Sequence, residues 1–138
     1  MMITRPKPIS GVYEKPFWNY VQGRELRLQR CDNGHFRFPP GPSCPKCLST
    51  EYDWEKVSGE GKLISWTVFH RQYFPEIPIP YTVVCGALSE GPLLIANLTG
   101  AIAKPLQVDM PLRLVFEGAQ TKDGNWIIYQ WALANSQV

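Results

Sequence analysis

From residue 57 onward apolar and polar side chains alternate with a period of two, the spacing of strands with one face on a core and the other toward water. Within 62–70, Ile64, Trp66 and Val68 alternate with Ser65 and Thr67. Runs at 81–88 and 93–98 follow, joined by the turn-forming Ser89-Glu90-Gly91-Pro92. Leu112, Leu114 and Phe116 alternate with Arg113 and Glu117, and an aromatic-rich run at 126–133 comes after Lys122-Asp123-Gly124-Asn125. The pattern predicts five strands, with a short helical or irregular crossover at 101–110 between the third and the fourth.

Upstream the period changes. Residues 14–23 read as a short helix: Pro16 suits its first turn, Phe17, Tyr20 and Val21 fall three and four apart on one face, and Gly23 is placed to stop it. Phe17 and Trp18 either pack against the ribbon or barrel or face a partner, since the helix has more aromatic area than one small face requires. Before it, Met1 to Pro8 carries two prolines and no apolar stretch, which predicts an extended arm, free to lie on a partner, and neither export nor membrane insertion. No run approaches the roughly 20 apolar residues that span a bilayer, so the expected location is the cytoplasm. The chain therefore divides into an arm and helix at 1–25, a small module at 26–56 and a barrel at 57–138. The fold class is mainly β, and the strand order is that of a five-stranded oligonucleotide/oligosaccharide-binding (OB) barrel, which hosts unrelated functions.

The middle module carries the chemistry. Cys44-Pro45-Lys46-Cys47 is a metal knuckle, and Cys31-Asp32-Asn33-Gly34-His35 offers one thiolate where a regular zinc ribbon has two, with His35 as the nearest suitable replacement. Residues 26–56 hold too few apolar side chains to form a core alone, so a metal crosslink by Cys31, His35, Cys44 and Cys47 would hold the hairpins together. The alternative is a ribbon that keeps its shape after losing its metal, with three leftover thiols. No neighbouring Glu or second His points to an activated water, so a structural zinc is expected rather than a catalytic one. In a chain without a secretory signal a Cys44–Cys47 disulfide is disfavoured.

Charge is unevenly distributed. Residues 1–47 hold eight Lys or Arg against three Asp or Glu, a net +5, and residues 48–138 hold six against nine, a net −3. The basic half could attract a phosphate-bearing ligand or an acidic surface, or be an ordinary solvated face. Within the barrel, Cys85 falls in an alternating strand and is expected to be a buried structural cysteine. His70 has no carboxylate nearby in sequence, and no general acid and base pair can be assembled.

The order Lys15-Pro16-Phe17-Trp18, Leu28-Gln29-Arg30-Cys31, Gly34-His35-Phe36-Arg37-Phe38-Pro39-Pro40 and Cys44-Pro45-Lys46-Cys47, continued at 54–61 and 91–100, resembles the DUF35 or acyl-CoA-associated OB-fold family. Its members combine a rubredoxin-like zinc ribbon with an OB barrel, and the likeness covers roughly 14–134. Members usually show Cys-x-x-Cys-Gly before the Phe-Pro-Pro stretch. This chain is one residue shorter there and lacks the second thiol, so Cys31, Cys44 and Cys47 match family ligand positions while His35 is a chemical substitution.

The resemblance implies a noncatalytic accessory subunit in a hetero-oligomer with a thiolase-like or aldolase-like enzyme, which organises the complex and helps shape an acyl-CoA tunnel. An acyl-CoA needs a basic entrance joined to an apolar passage. Arg24, Arg27, Arg30 and Arg37 are candidates for the first, and Trp66, Phe69 and Tyr73 for the second. The competing reading is a single-stranded nucleic-acid module, since exposed aromatics stack bases. The negative barrel opposes it, because such modules carry a positive groove.

Overall fold

A computed structural model describes residues 2–136 of the chain. The strands and helix run in the order β1 (Ile3–Thr4), α1 (Glu14–Gln22), β2 (Arg27–Cys31), β3 (Phe36–Arg37), β4 (Tyr52–Lys56), β5 (Glu60–Phe69), β6 (Tyr81–Leu88), β7 (Leu93–Thr99), β8 (Pro111–Thr121) and β9 (Gly124–Leu133). Strands β5 to β9 close on themselves in the order β8-β5-β6-β7-β9 and back to β8, with β7 and β9 parallel and the other pairs antiparallel. This is the predicted five-stranded OB barrel. A separate three-stranded sheet, β3-β2-β4, forms the ribbon.

The barrel closes around Trp131, which is fully buried. Its indole lies so near the backbone of β6 that a Cβ on Gly86 would stand 2.7 Å from two ring carbons. Its Nε1 donates to Leu94 O at 2.9 Å, so no polar atom of the ring is stranded. Gly86→Ala forces the ring or the strand to move and is expected to lower unfolding free energy by about 1–3 kcal/mol, read from the urea midpoint at unchanged slope.

Helix and ribbon share this core rather than sitting apart from it. Phe17 and Val21 of α1 and Leu26 and Leu28 of the ribbon cluster with Leu63, Val84, Leu94, Leu112 and Trp131. Phe17 takes the first of its two expected places: it is 2% exposed, against Phe38 and Tyr129, and is not available as a partner anchor. Trp18 is half-buried and stacks on Tyr129 at 5.4 Å between centroids. The helix ends one residue before the expected glycine. Arg24, not Gly23, takes the left-handed conformation (φ 59°), so that Arg24 N donates to Val21 O and Glu25 N to Tyr20 O, a Schellman closure.

Three further features depart from the sequence pattern. The β8–β9 ladder runs ten pairs in all and continues past the alternating residues to Thr121 and Gly124, because each strand supplies the other's hydrogen bonds beyond the barrel rim. The arm does not stand free for a partner: Ile3 and Thr4 pair in parallel with Ala119 and Gln120, adding a strand to that extension. Cys85 is half-buried rather than buried, since its ladder neighbours Ser65 and Ile95 are exposed on the outer face.

Strand β5 is only partly enclosed by the barrel wall. It pairs with β8 only over Glu60–Lys62, with Leu63 making the last bonds on that side, to Met110 O and Asp109 N. From Ile64 to Val68 every side chain is exposed, and β6 is the sole strand neighbour among the described residues.

Candidate functional site

Two turns bring the metal-type ligands together. Strand β2 ends in Cys31, and a tight turn with Gly34 at φ 86° returns the chain, closed by Gly34 N to Cys31 O and Cys31 N to His35 O. This hairpin sets His35 beside Cys31. The knuckle is closed by Leu48 N to Cys44 O at 2.8 Å, with Leu48 left-handed at φ 63°. Backbone N–H groups then point at sulfur: His35 N donates to Cys31 Sγ at 3.3 Å and Lys46 N to Cys44 Sγ at 3.4 Å.

The ligand atoms of Cys31, His35, Cys44 and Cys47 all lie within 4.8 Å of one another. His35 Nδ1 is 3.5 Å from Cys31 Sγ and 3.6 Å from Cys44 Sγ, and the sulfurs of Cys31 and Cys47 are 3.7 Å apart. A tetrahedral zinc with Zn–S of about 2.3 Å and Zn–N of about 2.0 Å separates two sulfurs by about 3.8 Å and sulfur from nitrogen by about 3.5 Å. The donor set fits zinc in both identity and spacing.

The electrostatics favour a cation there. The Asn33 side chain, the Ser49 N–H and His35 together hold the Cys47 thiol down at about 6. Burial opposes ionisation of Cys44, yet the N–H groups of Cys47 and Lys46 bring its pKa below the usual thiol value. Burial raises Cys31, and the thiols of Cys47 and Cys44 raise His35. Thiolate and imidazolium thus attract one another, and a metal cation would displace the protons.

The seven residues matched in sequence to acyl-CoA fall into an arginine set and an aromatic set. Arg24 donates to Phe116 O at 3.0 Å. Arg27 pairs with Glu25 at 2.8 Å over the ring of Tyr20. Arg30 makes two bonds of 3.0 Å to the Glu55 carboxylate above Phe36. Arg37 is buried, donating to Gln29 Oε1 and Gly41 O against the Tyr52 ring. Each of these four cations thus serves a contact within the chain.

The aromatic three are neighbours. Phe69 stacks on Tyr81 at 4.9 Å and meets Tyr73 edge-on at 6.0 Å, with Arg71 over Tyr73. Trp66 stands on the exposed part of β5, three residues earlier. Sequence reasoning missed Gln29, fully buried, whose Oε1 holds Arg37 Nε and Gly41 N. A polar residue between Leu28 and Arg30 in an alternating strand gave no signal that both faces were covered.

Among the described residues no helix is long and apolar enough to cross a membrane. Residues 18–53 match the family described as "ChsH2, rubredoxin-like zinc ribbon domain", and residues 54–117 match "ChsH2, C-terminal OB-fold domain". A DUF35 domain-containing scaffold protein of Pyrococcus furiosus is 31% identical over 118 residues, 81% of this chain and 84% of that protein. A 3-oxo-4,17-pregnadiene-20-carboxyl-CoA hydratase alpha subunit of Mycobacterium tuberculosis is 30% identical over 91% of this chain. A probable enoyl-CoA hydratase alpha subunit of Thermomonospora curvata is 35% identical over 80% of it. The chain spans only 39% and 35% of those two hydratase subunits. A solved structure titled "Ltp2-ChsH2(DUF35) aldolase" superposes with a TM-score of 0.82 at 29% identity, covering 93% of this chain and 99% of that one.

Proposed function

This chain belongs to the DUF35 family, and from that premise we propose that it is a noncatalytic accessory subunit of a thiolase-like or aldolase-like enzyme acting on acyl-CoA. The observation that carries the reading is the end-to-end superposition on a chain of the Ltp2-ChsH2(DUF35) aldolase. The scaffold name of the Pyrococcus relative and the CoA-ester substrates in the names of the hydratase subunits support it. In this reading one structural zinc is held by Cys31, His35, Cys44 and Cys47, which fixes the ribbon against the barrel.

The partner docks on the exposed part of β5. Ile64, Trp66 and Val68 are each about two-fifths exposed, at 39%, 39% and 42%, and Tyr73 and Phe74 extend the apolar surface at 59% and 48%. Aromatic anchors of this kind contribute most when an enzyme surface covers them. Trp66, Phe69 and Tyr73 then supply an apolar wall to the acyl-CoA passage, and the basic groups that meet the phosphates come from the partner.

Affinity capture from the native source, followed by mass spectrometry, tests the assignment. The expected result is recovery of a larger thiolase-like or aldolase-like chain, and loss of it with Trp66→Glu in a variant whose far-ultraviolet dichroism shows it folded. Repeated recovery of no acyl-CoA enzyme sinks the reading. Tight binding of single-stranded oligonucleotide by the isolated chain, with no acyl-CoA response in any complex, would favour the nucleic-acid module instead.

A further inference from the structure

Strands β7 and β9 are joined only at Leu98–Trp131 and Thr99–Ala132. Before that point they part, and a cavity of about 210 Å³ opens between them, walled by Ile95, Ile128, Tyr129, Trp18 of α1 and Ile77 of the β5–β6 loop, with Arg5 of the arm among its lining. Its apolar walls come from four separate parts of the chain.

Register decides which backbone groups enter this recess. Ile127 bonds through both its N–H and its C=O to the side-chain amide of Gln22, at 2.9 and 3.0 Å, and not to its ladder neighbour Gly118. Backbone groups alternate between the two edges of a strand, so those of Tyr129, two residues on, turn to the same edge. The ladder to β7 begins only at Trp131, two residues beyond Tyr129. Helix α1 thus fills the missing strand's place at Ile127, and the recess lies at Tyr129, between the helix and the start of the β7 ladder.

Arg5 is the second observation. Its backbone N–H is anchored to Gln120 O, and its half-buried guanidinium donates to Thr4 O at 2.7 Å. Among the described residues no carboxylate lies within ion-pair distance of it. Burial lowers its pKa, and Glu117, the acid whose charge it feels, is bonded by Gln130 Nε2 at 2.7 Å. A half-buried cation without a carboxylate partner, at an apolar wall, is complementary to an anion with an apolar tail.

We propose that this recess binds a small aliphatic carboxylate, with the carboxylate on Arg5 and the Tyr129 N–H and the chain against Trp18, Ile77, Ile95 and Ile128. The volume is below the roughly 300 Å³ at which drug-sized pockets begin, which limits the tail to a short one. A thioester carries no such anionic end, so the site takes the free acid and not the CoA ester. The inference stands apart from the accessory-subunit reading, and its test needs no partner.

The test is an amide and guanidinium NMR titration of the full chain with hexanoate, with hexanol and hexylamine as equal-length controls. Saturating shifts are expected at the Tyr129 amide and the Arg5 Nε–H with hexanoate alone. Arg5→Gln should weaken binding by about tenfold or more, as loss of a charge-assisted pair does, with an otherwise superimposable spectrum. Arg5→Lys, which keeps the charge but loses the fork, should fall between. Absence of saturable shifts at these groups, equal binding of hexanol, or an unchanged affinity in a folded Arg5→Gln variant would overturn the proposal.

Discussion

Cys44→Ser is expected to strip the chain of metal and melt the ligand end of the ribbon, while Leu26 and Leu28 stay in the core they share with the barrel. Cys44 is fully buried, its sulfur 3.6 Å from His35 Nδ1, and the knuckle backbone is wound around it. Around the ligands the apolar cover is thin: Phe36 and Phe38 are only half-buried. Structural zinc contributes an apparent 10–16 kcal/mol, roughly, in small zinc-dependent folds. That is on the order of the whole stability of an ordinary domain, about 5–15 kcal/mol, so the ligand region has no substitute for it. Elemental analysis of gently purified protein should give about one zinc per chain, since four donors complete one tetrahedral site. Cys44→Ser should bring this near zero. His35→Ala, which leaves three thiolates and a place for water, should weaken retention without abolishing it. A zinc content near zero in the unaltered protein would sink the assignment and leave a metal-free ribbon.

The second large effect is at the other end of the core. Trp131→Ala is expected to cost about 3–5 kcal/mol, the range for truncating a large buried aromatic. The position cannot collapse to fill the space, because the ring is packed on backbone at Gly61 and Gly86 and the strands bearing those glycines are locked in the closed ladder. The change also removes the indole N–H that donates to Leu94 O. Urea unfolding followed by far-ultraviolet dichroism measures this; a loss below about 1 kcal/mol, the level of an ordinary surface change, would mean that the barrel is not organised around this ring.

Much of the barrel is legible in the sequence because its strands bury one face and leave the other wet. The run 81–88 matches β6 to the residue, since Val84, Gly86 and Leu88 alternate inward with no interruption. The ends of β8 and β9 are not legible, because Gly118, Gln120 and Asn125 carry no apolar signal and are held by ladder bonds alone. The ligand cluster is legible for a different reason: thiols and imidazole at knuckle spacing are rare enough to speak without a fold. The arginines are not. Arg30 meets Glu55 across the β2–β4 ladder, and Arg37 meets Gln29 across β2–β3, partners 25 and 8 residues away that only strand pairing brings close. The recess by Tyr129 lies further from view still, since it depends on where two strands stop pairing.

Where β5 leaves the barrel wall it exposes the chain to a hazard. Natural sheets shield a free edge with lysine, proline or a covering loop, because an uncovered edge templates pairing with any extended chain. Residues 64–69 read Ile-Ser-Trp-Thr-Val-Phe, with no charge and no proline, which is also the composition that favours stacked cross-β assembly. Such a strand is safe only when sequestered. The chain made in excess of whatever covers this edge should precipitate or be degraded, so its abundance in the cell would be set by its counterpart's synthesis, and heterologous production should succeed best by co-expression.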